Sequence, residues 1–530
     1  MININPKKRF IAMMVTIILL ITSCDTLKSP FSYEEKVFAN DDYTNFFPSL
    51  PSLEAQDEVH IFDATTSSQI ELLPLISLQG IISKTKPSLF LQMDSPSRIW
   101  INDLKDWYKI NVNEDYINDR VGLITRFLDE IPEKKYILCD TNSVNVAMSL
   151  AGVTGHLVFD QNDSDLAKSL GLTQSIDSRG KDQDWLMGQY GNDFSNKLVM
   201  IQSDVEFGGR DLAIAHEALQ ISGDSEKKLP GSLEEGAPVL GTLPKESKSA
   251  WLSRVSQNGS IFIQSENAYN LSVLSSAHAR NVSQHHRTYT VPDSVVHYIC
   301  FTTTGGEDLG HLTSDFMSNS SHYSNSSRGK VDMAWPISAS VLDLSSTVIK
   351  YYYDKASLES YRDVFVCGAS GGGMFFPSLS LNLGDHISKL QKALELSSLN
   401  IISIEDIVDN LSDLSVFDQY TSLDEVDGIF YTDHSELDHF SGEIVWSNNK
   451  PVVSARFTIN ESIDEEIVME NLMDMDGKAY SPKGYSLIVL NHDYRTISLA
   501  EEIMDNLNPK KFASVPPDVF IELIKNNIDH

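Results

Sequence analysis

Carboxylates, imidazoles and one serine stand just beyond four short apolar runs in the second half of the chain. Glu307 and Asp308 follow His297-Tyr-Ile-Cys-Phe301, and Ser370 with three glycines follows Val364-Phe-Val-Cys367. Asp433, His434, Glu436, Asp438 and His439 follow Gly428-Ile-Phe-Tyr431, and Asn491, His492, Asp493 and Arg495 follow Tyr485-Ser-Leu-Ile-Val-Leu490. Cleaving a glycosidic bond takes two carboxyl groups, one to protonate the leaving oxygen and one to act as nucleophile or base. Glu307 or Asp308 opposite Asp433 or Asp493 can supply that pair. A carboxyl separation of about 5 Å would give retention and about 6.5–9.5 Å inversion. His434 and His492 suit hydrogen bonding in a carbohydrate cleft, and Trp335 suits a platform for a sugar ring. His434, His439 and His492 match neither His-Glu-x-x-His nor His-x-His spacing, so no metal is assigned, and no cofactor is implied.

These groups need elements that carry them to one place. The apolar runs are short and rich in β-branched and aromatic residues, which marks buried strands. Strand and helix patterns alternate: Lys135–Cys139 then Ser143–Ala151, Met333–Ile337 then Val341–Tyr353, Val364–Cys367 then Asp385–Leu396. Such alternation implies parallel sheets, whose ligands sit on the loops after the strands. The expected fold is α/β and multidomain, with small N-terminal α/β domains followed by a C-terminal (β/α) barrel-like domain. The divisions are 59–130, 131–197, 198–290 and 291–530. The loops after 301, 367, 431 and 490 are expected to meet in one cleft of the last domain.

The glycine stretch admits several readings. Gly368-Ala-Ser370-Gly-Gly372 spells a nucleophile elbow, which would make the chain a serine esterase using Ser370. An elbow needs a helix directly after the serine, and Gly371, Gly372, Gly373 and Pro377 oppose one, so Ser370 is not expected to be a nucleophile. No Gly-Lys-Ser/Thr closes a phosphate loop, and Asp140-Thr-Asn-Ser-Val-Asn145 is not a dinucleotide fingerprint. A tight turn that only packs closely is the plain reading.

Ser370-Gly-Gly-Gly-Met-Phe-Phe-Pro377 resembles the signature of the GxGYxYP family, bacterial proteins grouped with the glycoside hydrolases. Gly371, Gly373 and Pro377 match, while Met374 and Phe376 replace the two signature tyrosines. Leu78-Gln-Gly80, Ser143–Gly152 and Asn270-Leu-Ser272 are similar to other parts of the family, so the resemblance covers about residues 60 to 527. Thr304-Gly-Gly-Glu-Asp-Leu309 stands where members resemble Ser-Asp-Gly-Asp-Asn-Leu, with Gly305 in place of the first acid. The resemblance implies a carbohydrate-active hydrolase in which Gly371, Gly373 and Phe376 line the substrate. A glycan-binding lipoprotein that has lost catalysis is the alternative.

A net charge of −33 disfavours nucleic acid and anionic membrane surfaces as partners. The N-terminus differs in character from the rest. Lys7-Lys-Arg9 precede a 12-residue apolar run, Phe10–Ile21, too short to span a bilayer, and Ile21-Thr-Ser-Cys24 looks like a bacterial lipobox. Residues 1–23 are expected to be a signal peptide, Cys24 the lipidated residue and 24–58 a tether. That places the protein at the cell envelope, exported, on the outer membrane or cell surface. Cys139, Cys300 and Cys367 each lie in an apolar run and read as buried hydrophobes.

Overall fold

The computed structural model describes residues 45–223, 229–245, 247–284, 296–306, 308–314, 319–320, 322–358, 361–434, 439–460, 465–475, 477–491 and 497–529. Cys24, the signal segment, most of the tether, Glu307, Glu436, Asp438, His492, Asp493 and Arg495 lie outside these residues.

Four sheets make up the described chain. The first orders β1 (Val59–Asp63), β2 (Leu89–Gln92) and β3 (Val112–Asn113) as β2-β1-β3. The second orders β4 (Lys135–Cys139), β5 (Leu157–Asp160) and β6 (Thr173–Asp177) as β5-β4-β6. The third orders β7 (Ser195–Ile201), β8 (Ala218–Ile221), β9 (Val239–Gly241) and β10 (Phe262–Gln264) as β10-β9-β7-β8. All pairings in these three are parallel.

The fourth sheet has ten strands: β11 (His297–Thr303), β12 (Met333–Ile337), β13 (Asp363–Cys367), β14 (Ile401–Asp406), β15 (Gly428–Asp433), β16 (Ile444–Ser447), β17 (Lys450–Ser454), β18 (Phe457–Ile459), β19 (Tyr485–Leu490) and β20 (Phe512–Ser514). The order is β16-β17-β15-β14-β13-β12-β11-β19-β18, with β20 also paired to β11. Pairing among the described residues leaves β16 and β18 as separate ends. An open, mostly parallel sheet therefore stands where a barrel was expected. The one antiparallel pair is the β16–β17 hairpin. Its turn is Asn448-Asn449, both left-handed at φ 48° and 61°, the conformation that asparagine tolerates and that matches strand twist.

Both faces of this sheet are buried, as parallel strands require. One face, with Cys300, Val366, Phe430 and Leu487, is covered by the helix Pro517–Asn527 through Phe520, Ile521 and Ile524. The other, with Phe301, Trp335, Ile404 and Tyr431, runs without a break into the cores of the three small sheets. β14 was not expected from sequence. Read from sequence, 210–219 is a single helix, but the helix stops at Ala215, because Ala218–Ile221 pairs with β7 instead.

Candidate active site

Strands β14 and β15 end side by side on acids. Asp406 and Asp433 are register partners, and in-register parallel neighbours carry their side chains on the same face. Asp406 is fully buried. The Ser378 hydroxyl donates to its Oδ1 at 2.6 Å, and the Ser378 and Ile407 N–H groups donate to its two oxygens at 2.9 Å each. Burial pushes this carboxyl up and the hydrogen bonds oppose it, with the Asp433 charge adding to the rise. Asp406 thus pins the Pro377–Leu379 turn to the strand end. Asp433 is buried too, with His439 Nδ1 3.3 Å from its Oδ2, while the His439 side chain remains 41% exposed.

Glu405, one residue earlier, lies on the opposite face of the strand. Its carboxylate meets Lys248 Nζ at 3.1 and 3.2 Å and is bonded to His434 Nδ1. Burial alone would raise it, but Lys248 and His434 outweigh burial and bring it down to about 2. The Glu405 side chain is still 30% exposed, so an ionised carboxylate faces outward. Phe376 packs on the other side of His434, ring centroids 4.9 Å apart, and fixes the imidazole.

The third small sheet covers these strand ends. Lys248 opens the helix Lys248–Gln257, capped by the Ser247 side chain. Phe262 on β10 and Met374 exchange both backbone hydrogen bonds at 2.9 Å, and Gln264 bridges to Asp308. The glycines allow this approach. A Cβ on Gly373 would lie 2.7 Å from Ile263 Cδ1 and 3.0 Å from the Phe262 oxygen, and one on Gly372 would lie 2.5 Å from the Phe46 ring. Gly371 has φ +102°. The loop is a packed seam: Gly373 lies against β10, and Gly371 against Leu390 and His386, so both glycines are buried. Phe376 is likewise interior, its N–H donating to Ser256 Oγ at 2.7 Å. Trp335 belongs to the core rather than to a sugar platform, with Nε1 donating to Asp363 at 2.8 Å.

The loops after β11 and β13 both dock on β10, and those after β14 and β15 meet at Glu405. Asp308 caps the short helix Leu309–Thr313, accepting the His311 N–H at 2.7 Å. Along the sheet β11 is four strand steps from β15, about 19 Å at the usual strand spacing. Asp433 therefore has Asp406, not Asp308, as its carboxyl neighbour. A cavity of about 350 Å³ opens at the opposite ends of β13 and β14, beside Val364, Ile401, Asp427 and Asp518, and none of the clustered acids line it.

Ser370 is 1% exposed, and its hydroxyl serves the backbone. It lies 3.2 Å from the Phe375 and Glu405 carbonyls, to either of which it donates, and it accepts the Glu405 N–H at 3.3 Å. His386 Nε2 contacts the Ser370 carbonyl rather than the hydroxyl. Among the described residues no base meets Oγ, so this geometry does not support the esterase reading. Ser370→Ala is expected to abolish no fluorophosphonate labelling and to cost about 1–3 kcal/mol, because a buried N–H loses its acceptor. Labelling that disappears in the variant would overturn this assignment.

Glu405, Asp406, Lys248 and Ser378 did not stand out in the sequence. The available signal was the alternation Ile402-Ser-Ile404-Glu-Asp406, a strand pattern that ends on acids. Together the cluster holds two carboxylate–imidazole pairs, Glu405–His434 and Asp433–His439, at the ends of neighbouring strands. Each pair joins a carboxylate to the imidazole it orients, the residue types of acid–base chemistry, and the two pairs stand on opposite faces of the strand ends. Among the described residues no three His, Cys, Asp or Glu side chains gather as a metal set.

The comparisons agree with this architecture. The family model described as "GxGYxYP putative glycoside hydrolase C-terminal domain" matches residues 295–525. The "GxGYxYP_N second domain" matches 134–194 and the "GxGYxYP_N 1st domain" matches 58–129. A crystal structure of a protein named a putative hydrolase, from Bacteroides thetaiotaomicron, aligns at TM-score 0.80 and 25% identity, covering 91% of this chain and 97% of that one. No curated protein matches the chain significantly. With three of its models matched in order, the chain belongs to the GxGYxYP family.

Proposed function

We propose that the chain hydrolyses a glycosidic bond at the strand ends of β14 and β15. The observation that carries this is Glu405, held ionised by Lys248 and His434 yet partly exposed. In this reading Glu405 is the nucleophile or base. His434 and Lys248 keep Glu405 charged and aimed. Membership of a family grouped with the glycoside hydrolases supports this class of reaction, as does the likeness to the Bacteroides hydrolase.

The test is release of reducing ends from a panel of plant, host and bacterial glycans by the whole chain, with Glu405→Gln as control. Release by the native chain and its loss in the control support hydrolysis. A second reading, glycan binding without turnover, is favoured by Gly305 in place of an acid and by the buried, hydroxyl-free Met374 and Phe376. Glycan retention without release would establish that reading and remove the first.

The same proposal places the protein at the bacterial cell envelope, anchored by lipid on Cys24. The basic, apolar and Ile-Thr-Ser-Cys order at the N-terminus supports it. Cys24→Ala should move the protein from the membrane to the soluble fraction on cell fractionation. Unchanged membrane association would defeat the assignment.

A further inference from the structure

The chain just ahead of β1 packs as part of the folded body. Phe46, Phe47, Leu50 and Leu53 are buried, although the matched model of the first domain begins at residue 58. One end of this stretch is held at residues 276–278. There the Leu53 N–H donates to the Ser276 carbonyl at 2.9 Å, and the Glu54 carboxylate accepts the His278 N–H at 3.0 Å. The other end reaches the large sheet. The Phe46 N–H donates to Asp343 Oδ2 at 2.6 Å, on the helix Val341–Lys355 that follows β12. What was expected to be the end of a tether is thus folded in from Asn45 onward.

Phe46 rests on the glycine loop after β13. A Cβ on Gly372 would lie 2.5, 2.8 and 3.0 Å from three carbons of its ring, so the ring sits against bare backbone. The ring also packs on His386, centroids 5.4 Å apart, and His386 Nε2 lies 3.1 Å from the Ser370 carbonyl. Tyr420 donates to the same carbonyl at 2.9 Å. The loop needs such support. Ala369, Ser370 and Gly371 stand in succession at φ 39°, 57° and 102°. Residues other than glycine keep a left-handed backbone only where their surroundings hold them to it.

The loop in turn holds the Glu405 cluster at two places. The Ser370 N–H donates to the Ser403 carbonyl at 2.8 Å, and its Oγ accepts the Glu405 N–H at 3.3 Å, which fixes the end of β14. Phe375 packs on His386 with centroids 4.6 Å apart, and its neighbour Phe376 packs on His434 at 4.9 Å. Contact is therefore continuous from Phe46 to both members of the Glu405–His434 pair.

We propose that residues 45–50 are a clasp on the glycine loop, and that Phe46 is a positioning residue for Glu405 and His434. Its part in turnover rests on Glu405 being the reacting carboxylate. Removing the ring uncovers Gly372 and leaves a void into which the strained turn can relax. The Glu405 N–H then loses its fixed acceptor, and Phe376 no longer holds the His434 imidazole in place.

Phe46→Ala in the whole chain tests this by hydrogen exchange and by kinetics. The amides of 369–376 and 402–407 should exchange about tenfold faster or more, as local opening becomes easier. Turnover of a released glycan should show kcat lower by about tenfold or more with KM within about twofold, because small misplacements of a reacting group are costly. Leu53→Ala, buried in the same stretch but bonded at Ser276, is the control for plain loss of packing. It should leave kcat and the exchange of both segments within about twofold of the native chain. Should Phe46→Ala fail to fold, Phe46→Leu is read in its place. Unchanged exchange in the Phe46 variant, or an equal rise in Leu53→Ala, would overturn the clasp. Faster exchange with unchanged kcat would overturn the positioning role. A native chain without turnover removes the Glu405 reading alone, and exchange then decides the clasp by itself.

Discussion

Glu405→Gln is expected to lower kcat/KM on the glycan substrate by about 10³, within the range by which positioned acid–base groups contribute. The substitution keeps the shape of the side chain and removes its charge. Lys248 and His434 would then surround a neutral amide, and no ionised group would remain exposed at the end of β14. The pH dependence carries the same signature. The folded carboxyl is depressed to about 2 from its ordinary 4.5, so the Glu405 charge persists as pH falls through 4.5 and is lost only toward 2. Any stability it contributes is present above 4.5 and fades across that window. Lys248→Met removes the strongest group opposing protonation, so the acid limb of kcat/KM should move up toward the ordinary carboxylate range. Full activity in Glu405→Gln, or an acid limb unmoved in Lys248→Met, would show that the chemistry lies elsewhere.

Gly306→Val should destabilise the chain by about 3 kcal/mol or more, read from a denaturant midpoint. A Cβ at this position would lie 2.5 Å from both the carbonyl carbon and oxygen of Pro336 and 2.7 Å from its Cβ. These are mostly backbone atoms of β12, which cannot turn aside as a long side chain can. The Gly306 carbonyl also accepts the Ser338 N–H at 2.9 Å, so moving the loop would break a bond as well. Gly384→Ala is the contrasting substitution, since nothing stands within 4 Å of its Cβ position and the residue lies in a helix. It should be neutral or slightly stabilising. A loss below about 1 kcal/mol for Gly306→Val would refute the packing argument.

Much of the large sheet was legible in the sequence, for physical reasons. β13 carries the apolar run Val364–Cys367 and β19 the run Leu487–Leu490, because both of their faces are covered. The β16–β17 hairpin is signalled by Ser447-Asn-Asn-Lys-Pro451 standing between two apolar runs. β14 was missed because Ser403 interrupts Ile401, Ile402 and Ile404, and Glu405 and Asp406 follow at once, so the stretch reads as loop. The site divided in the same way. Asp433 lies where a strand end was expected to put it. Lys248 reaches Glu405 from 157 positions away, a pairing that no local spacing can encode. The glycines were visible as an unusual backbone, yet whether such a backbone meets a ligand or another strand depends on what folds over it. Here the answer is β10.

That covering has a bearing on where the chain can be divided. The matched family models end at residue 194 and resume at residue 295. Lys248, Ser256 and β10 all fall in the interval between them. A fragment beginning at 295 would keep every acid of the cluster. It would lack the ammonium that holds Glu405 ionised and the strand that binds Met374, and it would expose the bare glycine edge to solvent. Such an edge is open to pairing with another copy. The smallest piece able to build the Glu405 cluster therefore begins upstream of residue 247, and the intervening hundred residues are part of that folded unit rather than a spacer.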